Sequence, residues 1–177
     1  MGRNKSLILI KTGIFKGEIK LEKQDAGSSE LLQLVSFTIG REEFGVDILK
    51  VQEIIRMIEI TSIPNSPSFV EGVINLRGRV IPVISLRKRL GLERLEHDRN
   101  TRIVVVDLSG RTIGFIVDSV SEVLRIPAST TEAPPSLVAG INSEYITSIA
   151  KLEDRLLILL DLDKVLVEEE KQLLSGV

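Results

Sequence analysis

The sequence has no cysteine and only one histidine, His97, among its 177 residues. Iron–sulfur clusters, thiolate chemistry and structural zinc sites need cysteines or several histidines. A serine nucleophile with a histidine base would have to rely on that single imidazole. These absences exclude most familiar catalytic and metal-binding designs, and we predict no cofactor and no metal site.

Aromatic residues and net charge are also scarce. The chain has five phenylalanines, one tyrosine and no tryptophan, and its 23 basic and 25 acidic residues leave a net charge of −2. Proteins that bind nucleic acid combine a basic surface, which neutralises phosphates, with aromatic side chains on which bases stack. We therefore expect no nucleic-acid partner.

Long hydrophobic runs are missing as well. The longest uninterrupted apolar run is Leu156–Leu160, far short of the roughly 20 residues that cross a bilayer. The early run Leu7–Ile10 is followed by Lys11 and Thr12, with no small-residue cleavage site after it, so a secretory signal is not expected. The sequence predicts a cytoplasmic protein with no direct membrane insertion.

Branched aliphatic residues are abundant, and many follow the period-two pattern that is typical of strands. Hairpins are predicted from 35–39 with 44–48, 73–76 with 80–86, 101–108 with 113–117, and 145–152 with 156–160. Pro82 has no N–H to donate, so its strand is expected at a sheet edge or a bulge.

Helical structure is predicted at three places. Apolar residues at three- and four-residue spacing over 48–58 favour a helical turn, with a bent strand as the alternative. Ser66 before Pro67 predicts one helical turn over 68–71. Asp161 or Asp163 is expected to cap a terminal helix that extends beyond Leu173.

The chain divides into a tail, one domain and a helix end. Residues 1–30 show no sustained period and predict a mobile tail, the alternative being a docked hairpin built from Leu7–Ile10 and Ile14–Phe15. The domain is predicted over 31–167, with 168–177 as the end of the terminal helix. The charged segment 92–100 predicts an exposed connection, in which His97 is a solvated loop residue rather than a catalytic one.

The domain contains an internal repeat. Gly45, Val51, Glu53 and Arg56 recur 69 residues later as Gly114, Val120, Glu122 and Arg125, and Arg79, Leu86, Lys88 and Leu90 recur 76 residues later as Arg155, Leu162, Lys164 and Leu166. The halves, about 31–100 and 101–167, predict two small curled sheets or barrels that share an apolar seam. A seam of this kind is a common binding place.

Charged residues near predicted turns leave more than one interpretation open. Glu53 and Arg77 are each flanked by apolar residues, and on spacing alone an ion pair that steadies a turn is favoured over a binding role. A small hydrolase that uses Glu53 or Asp118 is the enzymatic alternative. No glycine-rich loop of the kind that holds a nucleotide phosphate is present.

The sequence resembles the CheW family of bacterial chemotaxis coupling proteins. The stretches that carry the likeness are 44–54, 63–67, 72–83, 114–124 and 155–161. The likeness runs from about Leu31 to Leu166, and several motifs occur in the family's order. The longer and more basic leader at 1–30 departs from the family pattern.

The resemblance implies an all-β fold with a few short helices, namely two intertwined five-stranded SH3-like β-barrels and a C-terminal helix. It also implies an adaptor without catalytic activity, recruited to receptor arrays at the inner membrane. Its partners would be the helical cytoplasmic tip of chemoreceptors and the regulatory domain of a CheA-type histidine kinase. An adaptor of another array, for surface motility, fimbriae or second-messenger control, is the alternative.

Receptor-binding residues follow from the same resemblance. The receptor groove would be lined by Val51, Ile54, Val120 and Val123, with Glu53 and Arg77 at its rim and Gly72 permitting close approach. The apolar members are paired by the internal repeat, so each half would contribute the same surface to a receptor helix. Residues that contact the kinase are not assigned.

Overall fold

The computed structural model describes residues 30–135 and 144–175, so the predicted tail, apart from Glu30, lies outside the described residues. The strands are β1 (Leu31–Ile39), β2 (Glu42–Asp47), β3 (Val51–Arg56), β4 (Val70–Leu76), β5 (Arg79–Ser85), β6 (Arg102–Leu108), β7 (Arg111–Val117), β8 (Ser119–Pro127), β9 (Thr131–Glu132), β10 (Ile146–Lys151) and β11 (Leu156–Leu160). The helices are α1 (Leu86–Arg89), α2 (Leu162–Val165) and α3 (Glu168–Ser175), with 3₁₀ turns at Ile48–Lys50 and Ala128–Thr130. The predicted fold class, mostly β with a few short helices, is confirmed.

The strands form two sheets, and each sheet takes strands from both halves of the repeat. One sheet, termed the β1 sheet, has the order β8-β1-β2-β11-β10-β9, and the other, termed the β6 sheet, has the order β3-β6-β7-β5-β4. Strand β3 pairs with β6 of the second half, and β8 pairs with β1 of the first half. The halves are therefore intertwined by strand exchange, as the resemblance implies.

The pairing registers repeat with the same offsets as the sequence. Phe37 of β1 pairs with Val120 of β8, and its counterpart Val106 of β6 pairs with Val51 of β3. The parallel pair β2–β11 likewise corresponds to the parallel pair β7–β5. Because the exchange is mutual, an internal pseudo-two-fold relates the sheets.

Three apolar clusters stabilise this arrangement within the described residues. One belongs to the β6 sheet alone (Ile74, Ile81, Val83, Ile103, Val105 and Ile116), and one belongs to the β1 sheet alone (Leu34, Ile126, Ala150, Leu157 and Leu159). The largest, termed the shared core, takes residues from both sheets and from the C-terminal helices. Since burial of apolar surface is the dominant favourable term in folding, the shared core holds the two sheets together.

Two helical predictions are wrong. Over 48–58 the helical turn is limited to the 3₁₀ turn Ile48–Lys50, and the bent-strand alternative holds, because the chain continues as β3. At 68–71 the chain makes a turn, in which the N–H of Val70 donates to the carbonyl of Pro67 (2.9 Å), and β4 begins at Val70. In both places pairing with a neighbouring strand overrides the local signal.

Pro82 and the chain end also differ from expectation. Pro82 is buried in β5, a central strand, and it is tolerated because the ladder with β7 begins only at Val83. The single terminal helix is instead two, α2 capped by Asp161 and then α3, since Leu166 adopts an extended conformation and is buried in the shared core.

The predicted hairpins and the connection over 92–100 match the structure, and every residue of that connection, including His97, is exposed. Among the described residues, no helix has the length and apolar character needed to cross a membrane.

Candidate protein-binding site

The edge strands β3 and β8 carry the apolar residues assigned to the groove. Each stands at the end of its sheet and pairs with a single neighbour. Val51 and Ile54 lie on β3, and Val120 and Val123 lie on β8; we term these four residues the seam patch. Val51 belongs to the shared core, and the other three are half-buried and pack against that same core. The structure therefore brings the four residues to one cluster, with corresponding residues from each half.

A β-bulge in β3 explains why residues three apart share a face. Val51 and Glu53 pair with consecutive residues of β6, so Gln52 is an extra residue in the strand. In a regular strand, residues three apart point to opposite sides of the sheet. Beyond the bulge, Ile54 faces the shared core on the same side as Val51. The spacing that resembled a helix is the signature of this bulge.

Strand β8 has the corresponding bulge. Val120 pairs with Phe37 and Val123 pairs with Val35, which leaves an extra residue between them. Both partners on β1 belong to the shared core. The two bulges therefore turn the apolar residues of both edge strands toward the same core.

Glu53 faces the other side of β3. Its partner in β6, Val105, belongs to the apolar cluster whose residues all come from the β6 sheet. Its side chain is only 7% exposed and accepts hydrogen bonds on both carboxylate oxygens from the Nη2 of Arg77, whose side chain is 59% exposed. Because β3 and the β4–β5 hairpin lie at opposite ends of the sheet order, this ion pair joins the two open ends of the β6 sheet. We term it the first clasp.

A tight turn positions the Arg77 guanidinium. Arg77 and Gly78 form the two-residue loop between β4 and β5, with φ of 53° and 80°, which are the values of a type I′ turn. The Oδ1 of Asn75 accepts a hydrogen bond from the N–H of Gly78 (2.9 Å). A left-handed arginine is uncommon, and here it directs the side chain back toward Glu53.

The second half has a counterpart, which we term the second clasp. Arg155, at the end of the β10–β11 turn, donates to Glu122 of β8, to Glu43 of β2 (2.6 Å) and to Asp154 (3.0 Å). The hydrogen bond to the Glu43 carboxylate is the main cause that raises the pKa of Arg155 above its usual value. The second clasp thus joins edge strand β8 to the hairpin at the far side of its own sheet.

Gly72, also assigned to the groove, lies on β4. It is buried, its φ is +144°, and a Cβ added there would lie 2.1 Å from the carbonyl oxygen of Thr61. That backbone pairs with Val73 through two hydrogen bonds of 2.8 and 2.9 Å. The structure thus shows a close approach of Gly72 to Thr61 of its own chain, and its role at the receptor groove stays a prediction.

The residues of the enzymatic alternative have structural partners. Glu53 is held by Arg77, while Asp118 accepts a hydrogen bond from the N–H of Gly40 (2.7 Å) and lies 3.8 Å from Arg87. A surface cavity of about 110 Å³ lies beside Asp118 and His97, away from the seam patch. In residues 30–135 and 144–175, no group of three histidine or acidic side chains is placed to hold a metal ion.

Sequence reasoning misses the second clasp and the bulges. The repeat makes Glu122 the counterpart of Glu53 and Arg155 the counterpart of Arg79, but it does not indicate that they meet. The repeat itself carries the signal that could have found the second clasp. If Glu53 pairs with an arginine of the 75–79 turn, the repeat offsets predict that Glu122 pairs with an arginine of the 151–155 turn.

The fold and the seam define a duplicated β domain with exchanged strands and an apolar edge shared by both halves. A family model described as "CheW-like domain" matches residues 33–170. The chain is 40% identical to "Chemotaxis protein CheW" of Klebsiella aerogenes over 152 residues, covering 86% of this chain and 92% of that protein. It is 32% identical to the protein of the same name from Treponema pallidum, covering 85% and 91%.

A solved structure is similar as well. The crystal structure of the scaffolding protein TtCheW from Thermoanaerobacter tengcongensis superposes with a TM-score of 0.71 at 38% identity, covering 77% of this chain and 92% of that one. The chain belongs to the CheW family. The resemblance stated from the sequence is confirmed.

Proposed function

We propose that this protein is a non-enzymatic adaptor that couples chemoreceptors to a CheA-type histidine kinase. The observation that carries the proposal is the seam patch, in which half-buried aliphatic residues from two edge strands border one core. A helix with an apolar stripe would complete the burial of Ile54, Val120 and Val123, and helix-in-groove docking is a recurrent mode of recognition. The receptor partner is therefore the helical hairpin at the cytoplasmic tip of a chemoreceptor.

An adaptor role rather than catalysis is supported by the charged residues of the seam. Glu53 is held in the first clasp and Glu122 in the second. A general acid or base must reach a substrate proton at hydrogen-bond distance, whereas these carboxylates accept hydrogen bonds from arginines that join strands of their own sheets. The solved relative TtCheW is itself a scaffolding protein.

The second partner in this proposal is the regulatory domain of the kinase, which in the family carries a domain of the same fold. Two bodies of like fold can meet through similar surfaces in a pseudo-symmetric way. The complex would assemble in the cytoplasm, on receptor arrays at the inner membrane.

The test is a binding assay in which the immobilised protein captures a soluble chemoreceptor signalling hairpin from the same cells. The wild-type protein is compared with the Val123→Asp variant. Burying an unpaired carboxylate against the docked helix should weaken binding by about tenfold or more. Val123→Thr, which keeps the shape and replaces one methyl group with a hydroxyl, should weaken it less. If both variants bind the hairpin with wild-type affinity, the seam patch does not take part in receptor binding.

Val167→Asp is the matched control. Val167 is 51% exposed and directly precedes α3, where an aspartate is favourable as a cap. It should bind the hairpin as the wild type does, and all three variants should keep the circular dichroism spectrum. Val51 is unsuited to this test, since it is only 4% exposed and a charge there would unfold the shared core. The receptors recovered from cells would also distinguish a flagellar array from another chemosensory array.

A further inference from the structure

The two clasps begin on the same edge strands that carry the seam patch, at positions related by the repeat, and we term their surroundings the first and second flanks. Glu53 lies between Val51 and Ile54 on β3, and Glu122 lies between Val120 and Val123 on β8. The apolar residues are nearly the same on both sides. The charges around them are not.

Two pairs of corresponding positions account for the difference. Arg77 in the first half corresponds to Glu153 in the second, and Gly78 corresponds to Asp154. The strands between them balance, because Asp107 pairs with Thr112 in the β6–β7 ladder where Thr38 pairs with Glu43 in the corresponding β1–β2 ladder. The second flank therefore carries the more negative charge.

The first flank presents an accessible cation. Arg77 is 59% exposed and, among the described residues, contacts Glu53 through Nη2 alone, so its other donors can bind a partner. Nearby Arg79 is exposed and donates to the neutral hydroxyl of Thr112 (3.1 Å), whose ladder partner is Asp107. The two arginines are balanced by Glu53, which is buried, and by Asp107, which accepts hydrogen bonds from Gln52 (3.4 Å) and from the N–H of Gly110 (2.7 Å). Arg77 is therefore the exposed charge of a flank that is close to neutral.

The second flank is acidic. Arg155 divides its donors among Glu43, Glu122 and Asp154, so one cation faces three carboxylates. Asp154 is 74% exposed and Glu122 is 38% exposed. Their carboxylates remain accessible to a cationic side chain of a partner.

We propose that this polarity fixes the direction in which a receptor helix lies across the seam patch. The helix would carry an acidic residue where it passes Arg77 and a basic residue where it passes Glu122 and Asp154. This inference rests on the proposed function and adds the second clasp as a determinant of orientation.

The physical reason is that the seam patch alone does not favour either direction of the helix. Because the patch is pseudo-symmetric, it buries an apolar stripe about equally well when the helix is reversed. Reversal would bring like charges together at both flanks, and such mispairing is how charged rims exclude wrong arrangements. Because the flanks are exposed, the preference should weaken as salt screens them.

The absence of cysteine in this chain makes a direct experiment possible. Gln52→Cys and Ser121→Cys introduce single thiols at corresponding positions of the two bulges. Each would carry a photo-crosslinker, and the probe is the same soluble receptor hairpin. Mass spectrometry then locates the adduct along the receptor helix.

In the wild-type background each thiol should react with a different end of the helix, with roughly tenfold or greater preference at about 0.05 M salt. The symmetrising variant combines Glu153→Arg with Asp154→Gly, so each residue is replaced by its first-half counterpart, Arg77 or Gly78. We expect this variant to lose most of the directional preference and only about two- to fivefold of its affinity.

The outcomes separate the two proposals. If the hairpin binds but each thiol reacts equally with both ends, or if the symmetrising variant keeps the full preference, the orientation proposal is wrong and receptor docking stands. If the unlabelled wild-type protein does not bind the hairpin at all, receptor docking itself is wrong.

Discussion

Glu53 is the one buried charged residue in the part of the chain that the structure describes. A carboxylate at such a site is stable only when it is paired, because loss of hydration costs several kcal/mol. The Nη2 of Arg77 provides that pairing from a left-handed turn position. The ion pair accounts for both unusual features. The carboxylate of Glu53 is stable in its buried site because Arg77 neutralises it, and the unfavourable backbone conformation of Arg77 is offset by that pairing.

We expect Arg77→Asn to destabilise the protein by about 1–3 kcal/mol, since it leaves the Glu53 carboxylate without its partner. Asparagine is the better residue for the left-handed turn, so any loss must come from the ion pair. Urea unfolding, followed by circular dichroism, measures the change.

Glu53→Gln and the double variant that combines it with Arg77→Asn complete a double-mutant cycle. The glutamine carries no charge and should make Arg77→Asn nearly neutral, with a coupling energy of about 1–2 kcal/mol. Equal costs of Arg77→Asn in the two backgrounds would show that the clasp contributes nothing to folding.

At the scale of elements, helix α3 is attached to the domain through α1. The guanidinium of Arg89 donates to the carbonyl of Val165 (2.7 Å) and to both carboxylate oxygens of Glu170 (3.1 Å each), and it lies 4.8 Å from the centre of the Phe69 ring. Leu174 near the end of α3 is 9% exposed and belongs to the shared core. The helix therefore covers part of the seam between the sheets.

Adjacent leucines on α3 give a matched pair of variants. Leu174→Ala should lower the free energy of unfolding by about 1–3 kcal/mol, below the range for a central core leucine because a terminal helix can relax. Leu173 is 66% exposed, and Leu173→Ala should change the free energy of unfolding by no more than about 0.5 kcal/mol.

Thermal or urea unfolding of both variants measures the difference. Similar values for the two leucines would mean that α3 does not pack on the shared core in solution.

Over the whole molecule, strand exchange makes the halves dependent on one another. Each sheet needs strands from both halves, and the shared core takes side chains from both. Separate halves would leave β3 and β8 without partners and expose the shared core to water.

We therefore expect residues 1–100 and 101–177, expressed separately, to lack cooperative thermal unfolding, and their mixture to regain it. Circular dichroism and size-exclusion chromatography follow the recovery. Proteolytic cleavage of the intact protein within the exposed segment 92–100 is the control, and it should leave the two pieces folded together. A cooperative transition in either half alone would contradict the prediction.

Much of this architecture can be predicted from local patterns. The period-two runs place the hairpins, and the offsets of 69 and 76 residues describe the same correspondence that the strand registers show. The 48–58 segment resembles a helical turn because a bulge in β3 shifts the apolar phase by one residue. Pro82 is expected at an edge because the sequence does not reveal where a parallel ladder begins.

The β character, the duplication and the family follow from the order of amino acids alone, because alternation, repeat offsets and ordered motifs are local or one-dimensional properties. Three-dimensional packing was needed to show that β3 and β8 exchange between halves, that Glu53 turns away from Val51, and that Arg155 meets both Glu43 and Glu122. Those outcomes depend on which strands pair, and pairing is set by burial of a core to which both halves contribute.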